Sequence, residues 1–228
     1  MQPIVAMKAL KRLIADPEQT HEVFEVIRAL SGPALRNGLT RFRDTQVGQR
    51  VLREKIDLVA CLKDRDALAA LPADTLGRHY LSFVTNENIS AEGLVDASEN
   101  GEYDAMDPDL KRFAERQRDM HDLWHTLTQY GRDELGEVCL LAFTYAQTRN
   151  RGIGIICLAG AQNLAEHYGA GVFKAAWRGY RAGKAAAWLP GADWEALLSQ
   201  PIDEVRQTLG MTEPDVYRDL RAQDAVPA

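Results

Sequence analysis

His121-Asp122-Leu123-Trp124-His125, followed after eleven residues by Glu137, places four metal-competent groups within seventeen positions. Histidines at i and i+4 lie one turn apart on a helix face, and Asp122 falls about 60° around from His125 at about 100° per residue. One face thus presents two imidazoles and a carboxylate. On a straight helix Glu137 would stand roughly 18 Å along the axis from His125, at about 1.5 Å per residue, too far to share an ion. The spacing therefore predicts a turn, with Gly131 supplying it and Asp133 capping the return helix. The expected arrangement is an antiparallel helical hairpin with His125 and Glu137 at similar heights.

A helical His-x-x-x-His pair suits zinc, and a carboxylate from a second element raises the ligand count. Two histidines and a carboxylate leave coordination positions open, which favours catalysis over a closed structural site. Zinc is the default for this donor set, while the facial triad of non-haem iron uses the same groups. Cys139 points about 200° away from Glu137 on a helix and is not a natural fourth ligand. The bland alternative is a chance histidine pair, with Asp122 and Glu137 solvated or paired to Arg132. His21, His79 and His167 are lone residues and read as structural groups. Asp122 and Glu137 are the candidate proton-transfer groups, and a peptidase reading is weakened because Asp122 is a methylene shorter than the glutamate base of His-Glu-x-x-His enzymes.

Helix punctuation recurs along the chain and strand signals are scarce, so the expected class is all-α, a single-domain helical bundle over residues 1–228. Asp16-Pro17-Glu18-Gln19 caps a helix carrying Val23, Phe24, Ile27 and Leu30, closed by Gly32-Pro33. A second start at Asp74 precedes Leu76, Tyr80 and Phe83 and ends at Asn86-Glu87-Asn88. Asp107-Pro108-Asp109 opens what reads as the longest helix, with Leu110, Phe113, Met120, Trp124 and Leu127 as its apolar stripe and the two histidines on its margin. The return helix, about 133–149, carries Leu135, Val138, Leu141 and Tyr145 to the core. Gly152 to Gly160 has two early glycines but neither a preceding strand nor a third glycine in register, so a dinucleotide-binding reading fails. Closing helices are expected from Asp193 to Leu198 and from Pro201 to Gly210, with 212–228 a tail, frayed from Gln223.

Lys and Arg total 27 against 33 Asp and Glu, a formal charge of −6, which disfavours a nucleic-acid partner. The three cysteines, Cys61, Cys139 and Cys157, sit widely spaced in apolar surroundings and read as buried thiols of a reducing compartment. No secretory segment opens the chain, and its longest apolar stretch, 153–161, is about half the ~20 residues of a span; the expectation is a cytoplasmic protein. Peripheral membrane contact has two sources. Residues 4–14 alternate apolar and basic groups in the manner of an interfacial helix, although packing on the core is the plainer reading. Trp177-Arg178-Gly179-Tyr180-Arg181-Ala182-Gly183-Lys184 interleaves cations with aromatics, so Arg178, Arg181 and Lys184 are candidates to hold a substrate carboxylate or phosphate, to sit at lipid headgroups, or simply to form a solvated face.

Taken together, these residues resemble a bacterial member of the coenzyme Q biosynthesis protein family numbered four in the ubiquinone pathway. Its His-Asp-x-x-His, eleven residues, Glu hallmark is matched by His121, Asp122, His125 and Glu137. Leu135-Gly136-Glu137, Gln147-Thr148, the Leu76 to Phe83 segment, Trp177 to Lys184, Trp194-Glu195 and Val205 to Gly210 also look like family positions, giving coverage from about 20 to 211. Where the family continues with a Gly-Leu-Pro-like segment, this chain has Arg149-Asn150-Arg151-Gly152, and the targeting segment of mitochondrial members is not seen. The resemblance implies a helical fold, a divalent metal at the four motif residues and a channel for a polyprenyl tail, which the segment 152–161 could line. It further implies oxidative decarboxylation of a polyprenylated hydroxybenzoate-type precursor, or alternatively a non-catalytic organiser that binds polyprenyl lipid and docks other quinone-biosynthesis enzymes. A homo-oligomer is compatible with the sequence, which does not decide the oligomeric state.

Overall fold

The computed structural model describes residues 8, 9, 12, 20–30, 32–90 and 106–224. Every regular element among them is helical: α1 (Thr20–Leu30), α2 (Ala34–Arg43), α3 (Gln46–Glu54), α4 (Leu58–Lys63), α5 (Arg65–Ala70), α6 (Leu76–Asn86), α7 (Pro108–Asp119), α8 (His121–Thr128), α9 (Glu134–Thr148), α10 (Arg151–Tyr168), α11 (Gly171–Ala185), a 3₁₀ turn at Leu189–Gly191, α12 (Trp194–Leu197), α13 (Ile202–Leu209) and α14 (Asp215–Asp224). The all-α class expected from the sequence is what the chain adopts. Most of the amphipathic stretch 4–14 and the cap at 16–19 lie outside the described residues, as does nearly all of the tail from Gln223.

The helices gather into two compact units, each built from separated stretches of chain. The first comprises residues 1–34, 128–186 and 211–228. Its centre is α9, whose Leu135, Val138, Cys139, Leu140, Ala142, Phe143 and Ala146 are buried on nearly all sides among α10, α11 and α14. Close approach to α11 depends on glycine: a Cβ on Gly179 would stand 2.4 Å from the Cys139 carbonyl oxygen, and one on Gly183 2.5 Å from that of Phe143. Gln147 Nε2 then donates to the Gly183 carbonyl at 2.6 Å, satisfying a buried amide across the same contact. Val26 and Ala9 pack with Ile156 of α10 to close the other side of this unit.

The second unit comprises 35–127 and 187–210. Phe42 and Phe113 meet at 5.1 Å between ring centroids in a cluster with Leu39, Val51 and Leu110. Asp107 caps α7 as its sequence suggested, accepting from the N–H groups of Asp109 and Leu110 with Pro108 in the first turn. Buried Arg116 forks onto Glu195, Nη1 to Oε1 at 2.5 Å and Nη2 to Oε2 at 2.9 Å, tying α7 to α12.

Three expectations are corrected. The stretch from Pro108 to Thr128 is two helices separated at Met120, whose ψ of −1° departs from helical geometry, and the longest helix among the described residues is instead α10 with 18 residues. The cap of α6 is Thr75, accepting from Arg78 N, rather than Asp74. Residues 212–228 are not simply a tail, because α14 buries Tyr217 within the first unit. Gly131 lies in the connection between α8 and α9, and the left-handed residue that opens this connection is Gln129, at φ 61°.

Candidate metal centre

His121, Asp122 and His125 occupy successive positions on the single turn of α8 that their spacing predicts. One ligand atom from each lies within 4.8 Å of the others. His125 and Asp122 are buried, at 1% and 4% exposure, while the His121 side chain remains 34% exposed. The imidazole rings meet edge to face at 4.7 Å, and Phe83 of α6 stacks on His125 at 5.5 Å with 19° between planes. His121 Nδ1 lies 3.0 Å from Asp122 Oδ1. A proton on Nδ1 shared with that carboxylate makes Nε2 the donor nitrogen of His121, the usual relation between a ligating histidine and its orienting acid.

Donor atoms on one ion at about 2.0–2.2 Å stand roughly 3–3.5 Å apart in adjacent positions, so the observed spread closes by small side-chain rotations. Two imidazoles and a carboxylate also match the chemistry of zinc or iron. The donor set fits a divalent metal.

The segment around α8 holds it firmly. Arg206 of α13 donates from Nη2 to the Thr126 carbonyl at 3.0 Å and from Nε to that of Leu127 at 3.2 Å, satisfying acceptors that a helix C-terminus leaves open. Just upstream, burial pushes the Asp119 carboxyl up to about 6, although Arg118 Nε at 2.8 Å opposes the shift. Neither Arg206 nor Phe83 was singled out for the site by spacing, because both arrive from distant stretches. Their only sequence signal was that each lies in a segment resembling the family.

Glu137 lies in the first turn of α9 in the first unit, whereas the other three motif residues belong to the second. Asp133 caps that helix as expected, accepting from Gly136 N at 3.0 Å. Tyr217 accepts from Gly131 N at 2.9 Å and donates to Asp133 Oδ2 at 2.5 Å, so α14 fixes the turn that begins α9. Gly131 leaves room for these two groups: a Cβ there would meet Asp133 Oδ2 at 2.6 Å and Tyr217 Oη at 2.7 Å and displace them.

Arg178, Arg181 and Lys184 are exposed on α11. The segment 152–161 belongs to α10, where Ile153, Ile156, Cys157 and Ala161 are buried and Gly152 lets the backbone of α1 approach. His79 and His167 are exposed, and the side chain of His21 lies outside the described residues. Cys139 and Cys157 are buried free thiols, with Cys61 half-buried.

Comparison with known proteins agrees with the family resemblance. The family model described as coenzyme Q (ubiquinone) biosynthesis protein Coq4 matches residues 2–215. The mitochondrial ubiquinone biosynthesis protein COQ4 homolog of Aedes aegypti is 28% identical over 211 residues, covering 87% of this chain and 71% of that protein. The mitochondrial COQ4 protein of Scheffersomyces stipitis is 25% identical over 194 residues, covering 84% of this chain and 58% of the relative. That of Podospora anserina is 28% identical over 190 residues, covering 81% and 61%, so the chain spans about three fifths of the length of these fungal relatives. A crystal structure from Nostoc punctiforme PCC 73102, described as a candidate ubiquinone biosynthesis protein, superposes with a TM-score of 0.68 at 20% identity over 92% of this chain and 98% of that one, which establishes a shared fold. The chain belongs to the coenzyme Q (ubiquinone) biosynthesis protein Coq4 family.

Proposed function

We propose that this protein performs a metal-dependent oxidative decarboxylation of the polyprenylated hydroxybenzoate-type ring in coenzyme Q biosynthesis. The observation that carries the reading is the cluster of His121, Asp122 and His125 donors on one turn of α8. Glu137, the remaining residue of the family motif, is proposed as a proton-transfer group of the same reaction. When bound, a zinc or iron ion supplies Lewis acidity to the ring carboxylate. His125, buried and stacked on Phe83, is the rigid ligand, and the part-exposed His121 is the one beside the open side. Asp122 orients His121 through Nδ1, and Asp122 or Glu137 takes up or returns the phenolic proton. The carbon–carboxylate bond breaks and carbon dioxide leaves, and a water oxygen takes its place on the ring carbon as a hydroxyl. The two electrons and two protons released pass to dioxygen as co-substrate, which leaves as hydrogen peroxide. Partners in this reading are the lipid-tailed precursor and other enzymes of the pathway, with the protein working at the inner face of a membrane.

The test is elemental mass spectrometry of the wild type beside the His121→Ala/His125→Ala variant, with organic extraction of the same samples. Near-stoichiometric zinc or iron in the wild type, lost in the variant with an unchanged circular dichroism spectrum, is expected, together with release of carbon dioxide from a prenylated hydroxybenzoate. Retained metal in the variant would overturn the site. Absence of metal with isoprenoid in both samples would instead identify a lipid-binding organiser.

A further inference from the structure

Between Arg149 and Lys184 the chain carries six cations, Arg149, Arg151, Lys174, Arg178, Arg181 and Lys184, against the single acid Glu166, in a protein whose formal charge is −6. The two helices of this stretch also hold the exposed large apolar side chains of the described residues: Ile155 (37%) and Leu158 (65%) on α10, Phe173 (42%) and Trp177 (57%) on α11. On α11 the apolar and basic groups coincide. At about 100° per residue, Phe173, Lys174, Trp177, Arg181 and Lys184 fall within an arc of about 100°, opposite Ala175, Gly179 and Gly183, which are buried. A row of rings links this arc to α10. Tyr180 stacks on Trp177 at 5.3 Å and on Tyr145 of α9 at 6.1 Å, and the Tyr145 ring lies against Gly154, the neighbour of Ile155. Arg149 Nη1 donates to the Tyr180 hydroxyl at 3.3 Å.

We propose that this face of α10 and α11 docks on an anionic lipid bilayer, with Ile155, Leu158, Phe173 and Trp177 entering the boundary between headgroups and acyl chains and the surrounding cations meeting headgroup phosphates. Exposed tryptophan and phenylalanine with arginine and lysine alongside is the composition that this boundary favours, and a leaflet of negative surface potential attracts the basic arc. Charge argues against a second copy of the chain as the occupant, since symmetric pairing would set the same cations against one another. None of the described helices is long and apolar enough to cross a membrane, so the contact is at the surface. The proposal does not rest on the metal chemistry, and metal content serves as a control for it.

The test is flotation of the full-length protein with phosphatidylcholine vesicles, with and without phosphatidylglycerol, beside Leu158→Ser/Trp177→Ser and Arg178→Gln/Arg181→Gln/Lys184→Gln. The wild type is expected to float with the anionic vesicles and to be released by salt, with partitioning about a hundredfold weaker in the triple variant, at about fivefold per cation. Brominated lipid should quench wild-type tryptophan emission, and Trp177→Phe should remove most of that quenching, because Trp124 and Trp194 are buried and Trp188 is half-buried beneath Arg41. Circular dichroism and metal content should be unchanged throughout. The proposal falls if anionic vesicles do not bind, or if Trp177→Phe leaves quenching intact. It also falls if Leu158→Ser/Trp177→Ser converts a wild-type dimer to a monomer, or if the basic face captures polyglutamate but not vesicles.

Discussion

Cys139 and Cys157 lie inside the first unit, where burial pushes the Cys157 thiol up to about 11 and Cys139 higher still. Cys157 Sγ donates to the Val138 carbonyl at 3.5 Å, so the protonated form is also the one its surroundings accept. Because both values are raised on folding, the folded state keeps protons that the unfolded chain gives up near the ordinary thiol value of about 8.5. Stability present below that pH should fall as pH rises above it, by about 1.4 kcal/mol per pH unit for each thiol until the folded value is reached. Urea unfolding at successive pH values should show this slope and should show it reduced in Cys157→Ala; an equal slope in both would contradict the assignment. Native-state alkylation with iodoacetamide at pH 8 should reach Cys61 first, read by peptide mass, although burial raises Cys61 as well.

The packing of α11 on α9 turns on Gly179 and Gly183, which lie four residues apart and bring backbone against backbone. Gly179→Ala places a methyl 2.4 Å from the Cys139 carbonyl oxygen, which cannot retreat like the end of a flexible side chain. The expected loss is about 1–3 kcal/mol in urea unfolding. Gly169→Ala should cost about 1–3 kcal/mol for a different reason: its Cβ meets nothing within 4 Å, but its φ of +63° with ψ of −160° lies in a region essentially reserved for glycine. If Gly179→Ala proves as mild as a solvent-facing substitution, the close helix approach is wrong.

At the scale of the whole molecule, each unit draws on separated stretches, and residues 211–228 complete the first. Tyr217 is the point of attachment: it bridges Gly131 and Asp133, meets Tyr130 edge to face at 5.5 Å, and burial pushes its hydroxyl well above the ordinary tyrosine range, helped by the bond to Asp133. Tyr217→Phe should cost about 1–3 kcal/mol by leaving a part-buried N–H and carboxylate without their hydroxyl. Removal of 211–228 should make the α9 region more open to hydrogen exchange than in that variant. Equal protection in full-length and shortened chains would remove α14 from the folded unit.

The sequence by itself determined the helical class, the caps at Asp107, Asp133 and Asp193, the Gly210 stop and the placing of His121, Asp122 and His125 on one turn. These are local consequences of periodicity, side-chain capping and the 3.6-residue turn, and they need no partner from afar. Only the tertiary structure decided that Phe83 stacks on His125, that Arg206 closes the end of α8, that α9 is buried on nearly all sides, and that α14 exists as a packed helix. The first two partners lie tens of residues from the groups they touch, a separation at which spacing carries no orientation. Apolar residues run round most of the surface of α9 and hide its central place, because a helix buried all round has no polar face to announce a direction. The break at Met120 and the left-handed turn at Gln129 arise in residues whose types do not demand them, so packing rather than local preference selects those conformations.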